Sequence, residues 1–338
     1  MVKIKKWGIL AMIFCILITS VACAKKPQKP SPKSENEPKP LPKVVEEIEQ
    51  DALKIMEQVD KLPFLQRVII EKEMIEQKKK AEEAQMKAAE GGGGGSEEQK
   101  QGGEQGGEQG GQQESGQGQA PSSSEEEKPA PMTIEEGILT ELMKREKSDE
   151  AEKEGQKTPK SLDEVWTSVN ATILGLHNKW NVLEPQLIQQ GVSPESMNSF
   201  ENALDNLTKF GFEKKYFETL SVANNLTAYL PDFRAYFKRE VPPSIYTLKY
   251  QVRNLVLNAA VGDYDVAQES LSKLKDHGQT LKPQLIEKKA KATTDKYDAS
   301  VNNLEKSLAK KDLQLIKINS SIVLKNILLM EEDLSASM

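Results

Sequence analysis

The sequence predicts an all-α fold, an antiparallel up-and-down array of helices containing a duplicated three-helix unit. Three observations carry that expectation. Aromatic residues make up only 5% of the 338-residue chain, and glycine and proline gather in a few connecting stretches, which favours Leu/Ile/Ala-rich helices over a sheet sandwich. Trp166, Val169, Ile173, Leu176, Trp180, Leu183 and Leu187 recur at alternating steps of three and four, the seam of a helix packed lengthwise against neighbours. Short passages also return at nearly equal offsets. Pro185-Gln186-Leu187-Ile188 reappears as Pro283-Gln284-Leu285-Ile286, and Leu204-Asp205-Asn206-Leu207 as Val301-Asn302-Asn303-Leu304.

Taken in order, residues 23–43 alternate Pro with Lys, Ser and Glu and read as a stiff polyproline tether reaching roughly 60 Å. Residues 44–90 read as two helices. Val45, Ile48, Ala52, Ile55 and Val59 hold helical spacing, Pro63 interrupts, and Val68 to Ile75 resume before a solvated Lys/Glu/Ala run. The Gly/Gln/Glu tract 91–131 is expected to be a disordered linker, because it offers no apolar surface to bury. A short amphipathic helix is expected over 132–147, with Ile134, Ile138, Leu139 and Leu142 on one face.

The folded domain is expected over 161–338, with about seven helices. After the Trp166 helix, Ser193-Pro194-Glu195 starts a second, with Ser as N-cap and Pro at the first helical position, and Gly211 ends it. Residues 213–237 form a third that Pro231 kinks or shortens. Residues 244–261 bridge the two units, and helices over 264–288, 292–309 and 312–334 complete the second. Short junctions force neighbouring helices to run antiparallel.

Both cysteines, Cys15 and Cys23, lie near the N-terminus, so the remaining chain has no thiol for a disulfide or a thiolate site. Net charge is −6, and losing Lys3, Lys5 and Lys6 with a leader makes the rest more acidic. That balance argues against nucleic acid and against electrostatic binding to anionic lipid. No metal site or cofactor is expected. The residues three before His177 and His277 are Leu174 and Leu274, which fails the Glu-x-x-His spacing of a di-metal bundle. Ser270-Leu271-Ser272-Lys273 and Ser307-Leu308-Ala309-Lys310 have the Ser-x-x-Lys spacing of acylating serine enzymes, but the accompanying elements are missing, and both pairs are expected on solvated helix faces.

At the start of the chain, Lys3, Lys5 and Lys6 precede the apolar run Trp7 to Ile18, and small residues lead into Ala22-Cys23. This pattern is a signal peptide over 1–22. Its junction resembles the lipobox of bacterial lipoproteins, although Ser20 stands where Leu is usual. Ala22-Cys23-Ala24 also fits the A-x-A site of ordinary signal peptidase, which would release a soluble chain from Lys25. The resemblance implies lipidation of Cys23 and a membrane partner reached through an N-terminal diacylglycerol. It also implies an address on the extracytoplasmic face of the bacterial cell membrane.

The expected function is a non-enzymatic binding or scaffold module, with a protein or cell-wall partner. The alternative is an accessory subunit, or a carboxylate-dependent hydrolase of the cell envelope using some of Glu184, Glu195, Glu201, Asp205 and Glu218. The candidate binding residues are Tyr229, Phe233, Tyr236, Phe237, Tyr246 and Tyr250, aromatic side chains clustered around Pro231 and Pro242-Pro243 where a groove between the two units is expected. Arg234, Arg239 and Arg253 nearby are expected to meet an acidic partner or to lie over the rings.

Overall fold

The computed structural model describes residues 38–90, 132–133, 135–146 and 161–336. The leader, most of the tether and the 91–131 linker lie outside the described residues. Ten α-helices form among those described: α1 (Lys43–Asp60), α2 (Leu62–Glu90), α3 (Thr140–Glu146), α4 (Leu162–Gln189), α5 (Pro194–Phe212), α6 (Tyr216–Ala235), α7 (Pro243–Ala260), α8 (Tyr264–Glu287), α9 (Lys291–Ala309) and α10 (Leu313–Ser335). The seven expected after residue 161 are α4 to α10. Pro231 sits inside α6, which runs one further turn to Ala235. Pro185 and Pro283 stand at the same distance from the ends of α4 and α8.

Local chemistry explains the tight junctions. Ser161, Ser193, Asp263 and Asp312 each accept from a backbone N–H at the start of the following helix. Helices α4, α5, α7 and α8 close with the N–H of Val192, Lys215, Asp263 and Ala290 reaching back five residues to a helix carbonyl. That closure puts Gly191, Lys214, Gly262 and Lys289 in the left-handed region, at φ 78°, 54°, 81° and 62°. Each helix is thereby turned back on its predecessor.

The helices form two four-membered rings. In the first, α4 packs on α5, α5 on α6, α6 on α1, and α1 closes back on α4; in the second, α7, α8, α9 and α10 close the same way, with α6 against α7 joining the two. The duplicated three-helix unit is therefore α4–α6 and α8–α10, and each copy is completed by a fourth helix. For the second copy this is α7, the expected bridge. For the first it is α1, so the domain expected over 161–338 in fact begins at the chain entry around Pro40.

Burial repeats in register. Ile173, Leu176, Leu183 and Leu187 of α4 match Leu271, Leu274, Leu281 and Leu285 of α8, while Leu204 and Leu207 match Val301 and Leu304. Val45, Ile48, Ala52, Ile55, Met56 and Val59 of α1 match Ile245, Leu248, Val252, Leu255, Val256 and Ala259 of α7, each pair 200 positions apart and every member buried. The two 18-residue helices share even their entry, a proline N-cap with no side-chain cap.

One pair of core positions shows how the copies diverged. Trp180 stacks on Phe200 with centroids 4.5 Å apart and donates Nε1–H to Glu201 at 2.9 Å. The matching residues are Gly278 and Tyr297, and a Cβ on Gly278 would lie 2.4 Å from the Tyr297 ring. The tyrosine thus fills space that the tryptophan fills in the first copy, and its hydroxyl donates to the Leu274 carbonyl at 2.7 Å. Trp180→Ala is expected to cost about 3–5 kcal/mol of stability in chemical denaturation, as large aromatic deletions from enclosed sites do. A cost below about 1 kcal/mol would contradict the enclosed packing.

Helix α3 bridges α1 and α10. The expected amphipathic helix over 132–147 shortens to Thr140–Glu146, because the residues before it are held by side chains from elsewhere. The Asp60 carboxylate accepts from the N–H of Ile138 and Leu139 at 2.7 and 3.0 Å and from the Thr140 hydroxyl at 2.9 Å, supplying a cap from another helix. Lys317 Nζ donates to the Gly137 carbonyl at 2.7 Å, and Arg67 pairs with Glu136. Gly137 is required by this approach, since a Cβ there would fall 2.4 Å from the Asp60 carboxylate. Burial raises Asp60 above the ordinary carboxylate range against the opposing pull of these donors. Beyond Val68, α2 leaves the bundles. Ile70, Met74 and Ile75, read from the sequence as a resumed apolar run, are exposed.

Candidate functional site

The six aromatic candidates do not line one groove. Phe233 and Phe237 are core residues, Phe233 packing on Trp180 and Phe200 in the first bundle. Tyr229 and Tyr250 are half-buried. Tyr229 meets Phe200 edge-on, and Tyr250 donates its hydroxyl to Asn225 Oδ1 at 3.4 Å. Tyr236 is 41% exposed and borders a shallow opening with Val192, Ser196, Asp232 and Ala235. Tyr246 lies across the 236–242 connection, in a separate cleft. The rings divide because α6 ends at Ala235: Phe233 faces the core from the helix, and the turn that follows carries Phe237 inward and leaves its neighbour Tyr236 outside.

The Tyr246 cleft has a volume of about 390 Å³, within the range of small-ligand sites. It is lined by Pro40, Leu41 and Glu46 from the chain entry and α1, by Arg234, Lys238, Arg239, Glu240 and Val241 from the end of α6 and the connection after it, and by Tyr246 of α7. An isolated β-bridge between Pro40 and Lys238 fixes the entry against the connection. The last residues of the expected tether therefore belong to the fold.

Below the cleft each bundle carries one ion pair, and the two bundles meet where the Arg234 guanidinium lies over the Tyr246 ring. Arg234 of α6 pairs with Glu49 of α1 at 2.6 Å, and Lys249 of α7 pairs with Glu331 of α10 at 2.7 Å. Glu49 and Lys249 occupy matching positions in α1 and α7, as do Arg234 and Glu331 in α6 and α10, so the pair is duplicated with its charges exchanged. The Tyr246 ring lies between them, 3.9 Å from the Arg234 guanidinium carbon and 5.2 Å from Lys249 Nζ. Burial pushes its hydroxyl up to about 12, with Arg234 pulling down and Glu331, Glu49 and Glu46 pushing further up. Arg234 is 2% exposed and its Nε–H meets no protein acceptor, a donor left over at the cleft wall.

A second buried cation ties in the bridging segment. Arg253 of α7 is wholly buried, pairs with Glu146 of α3, and donates to Asn224 Oδ1 at 2.8 Å and Thr227 Oγ1 at 3.0 Å on α6. Arg234 lies over the Tyr246 ring, one of the two placements expected from the sequence, and both Arg234 and Arg253 are internal joints. Their carboxylate partners lie far away in sequence, and only the 200- and 97-residue offsets between the copies hint at one of them.

The remaining candidates find ordinary roles. Ser270 and Ser307 are buried, contrary to the solvated faces expected, and each hydroxyl donates to a carbonyl one turn back while accepting from Asn254 or Asn319. His177 Nε2 and Thr208 Oγ1 lie 2.8 Å apart, and the matching positions carry the Lys275–Glu305 ion pair. Glu201 holds the Trp180 indole, while Glu195, Asp205 and Glu218 are exposed. Among the described residues no group of three His, Cys, Asp or Glu side chains is placed to hold a metal ion. Comparison of the chain with protein-family models, curated proteins and solved structures finds no match.

Proposed function

We propose that the chain is a lipid-anchored, extracytoplasmic, non-enzymatic binding and scaffold module, with the Tyr246 cleft and its surrounding connections as the contact region. The observation that carries this reading is where the chain enters the fold. Pro40 and Leu41 wall the cleft, and only residues 24–39 separate them from Cys23. Even fully extended, that stretch spans no more than about 60 Å, so a lipid on Cys23 would keep the cleft near the bilayer. The hydrogen bonds of Arg253 to Asn224 and Thr227 and the contact of Arg234 with the Tyr246 ring join α6 of one bundle to α7 of the other, which suits a platform for presentation. The scattered, solvated placement of Glu195, Asp205 and Glu218 gives a carboxylate-dependent hydrolase less support.

The address and the contact are tested together. Cys23→Ala is expected to abolish partitioning of the exported chain into detergent, while Cys15→Ala leaves it unchanged; partitioning of Cys23→Ala like the parent would overturn the anchor. Tyr236→Ala, at an exposed position, is expected to keep the parent's melting temperature and reduce crosslinking to envelope partners in intact cells. Unchanged crosslinking with both Tyr236→Ala and Lys238→Ala would remove this region from the contact.

A further inference from the structure

We propose that the chain pairs with a second copy of itself through the outer face of α4 and α5, about a two-fold axis that sets the two α4 helices antiparallel. The duplicated unit supplies the comparison that singles out this face. In the first copy Leu174, Val182, Ile188 and Phe212 stand in solvent, at 54% to 59% exposure. The matching positions of the second copy are Ser272, Thr280, Ile286 and Ala309, all exposed as well. Three of the four are small or polar there, so the fold itself does not ask for large apolar side chains at these places. A contiguous exposed apolar face of this kind marks a contact with another molecule.

Charge separates the two copies further. Every exposed residue of α4 from Thr167 to Gln189 is uncharged, whereas the matching stretch of α8 exposes Asp265, Glu269, Lys273, Asp276 and Glu287. Lys179 and Glu184 of α4 are half-buried, and Lys179 is paired with Asp51. On α5, Asn198, Asp205 and Phe212 lie one turn from Glu201 and Thr208, which bond to α4, and so border the same face. Glu201 is taken up by the Trp180 indole, which leaves Asp205 as the one exposed charge inside the face among the described residues. Asp163 and Glu164 in the first turn of α4, Glu195 in the first turn of α5 and Lys209 in its last stand at the edges. A core depleted of charge within a polar rim is the anatomy of a subunit contact.

The face is also complementary to itself. Ala171, Leu174, Asn178, Asn181, Pro185 and Ile188 follow alternating steps of three and four, a second seam on the side of α4 away from the core. The steps read the same in both directions about their midpoint. Antiparallel pairing therefore sets Asn178 against Asn181 of the second copy, Leu174 against its Pro185 and Ala171 against its Ile188. The amides can bond to each other, since each both donates and accepts. Phe212 adjoins Gly211, which lies against Asn170 and Ile173, and so widens the apolar end that receives Ile188. From Thr167 to Gln189 the helix runs roughly 33 Å and two adjacent helices offer about 20 Å of width, a footprint on the order of 650 Å². That approaches the roughly 800 Å² per partner of a standard interface.

The test uses the chain 24–338, which has no cysteine and needs no lipid, so the anchor and the cleft play no part in it. Sedimentation is expected to show a monomer–dimer equilibrium that persists as salt rises, because salt screens charges and not apolar contacts. Leu174→Ser, Val182→Thr and Phe212→Ala together give the first copy the residues of the second. They are expected to weaken pairing by on the order of 100-fold, each loss counting twice across the axis, while Ile286→Ser on α8 leaves it unchanged. Asn181→Cys, close to the axis, is expected roughly 10 Å from its counterpart, and Thr167→Cys roughly 39 Å. A short bis-maleimide should therefore join the first variant into dimers and not the second. A monomer at every concentration overturns the proposal, as does pairing by the triple variant equal to the parent's, loss of pairing in salt, or crosslinking of Thr167→Cys in place of Asn181→Cys. If the chain stays monomeric and Asn181→Cys is crosslinked in cells to a different envelope protein, the face belongs to that partner and the proposal falls.

Discussion

Expressed alone, residues 161–338 are expected to retain the second bundle and lose the first. Helix α1 contributes Val45, Ile48, Ala52, Ile55, Met56 and Val59 to the core, each fully buried. At roughly 1.5–3 kcal/mol for each large apolar side chain enclosed, their removal takes away on the order of 10 kcal/mol, comparable to the whole stability of a typical domain. It also strands Arg234, whose carboxylate partner Glu49 leaves with α1. Amide exchange should find α4–α6 open and α7–α10 the better protected, because α7 stays in the fragment to close its ring, even though the loss of α3 takes Glu146 from Arg253. A peptide of residues 38–60 added in trans should restore protection to α4–α6. Equal protection of both halves in the fragment would show that α1 is dispensable.

Arg253→Ala is expected to destabilise the whole protein by about 3–5 kcal/mol in chemical denaturation, the cost of leaving a buried charge without its partner. The substitution strands Glu146, whose side chain is only 5% exposed, and removes a donor from both Asn224 and Thr227. Arg253→Lys should recover little, since a single ammonium cannot face three acceptors that a planar fork reaches together. Replacing both partners, Arg253→Met with Glu146→Leu, should recover most of the loss. A single-variant cost under about 1 kcal/mol would mean that α3 is not held by this joint.

What the sequence shows and what it hides follow from range. Apolar spacing within one helix is local information, so the seam from Trp166 to Leu187 and every boundary after residue 161 are legible to within a few residues. The duplication is legible too, because the Pro-Gln-Leu-Ile passages keep both residue type and offset. The role of α1 is not, since the matching positions of α1 and α7 are similar in character but not in identity, and about a hundred residues separate α1 from the helix it packs on. At the site, aromatic enrichment marks the right neighbourhood around Tyr246. It cannot tell Phe237, in the core, from Tyr236, outside it, since that depends on which way one turn faces. Nor can it pair Arg234 with Glu49, 185 residues apart.

The unequal wiring of the two rings bears on the order in which they assemble. In the second, α7 reaches α8 across three residues, whereas in the first the equivalent step from α1 to α4 crosses 101. Chain-closure entropy grows as the logarithm of that length, which amounts to about 3 kcal/mol more for the longer closure. Contacts of low sequence separation also form faster. The second bundle is therefore expected to form first, and α1, although synthesised before it, to be the last strut seated.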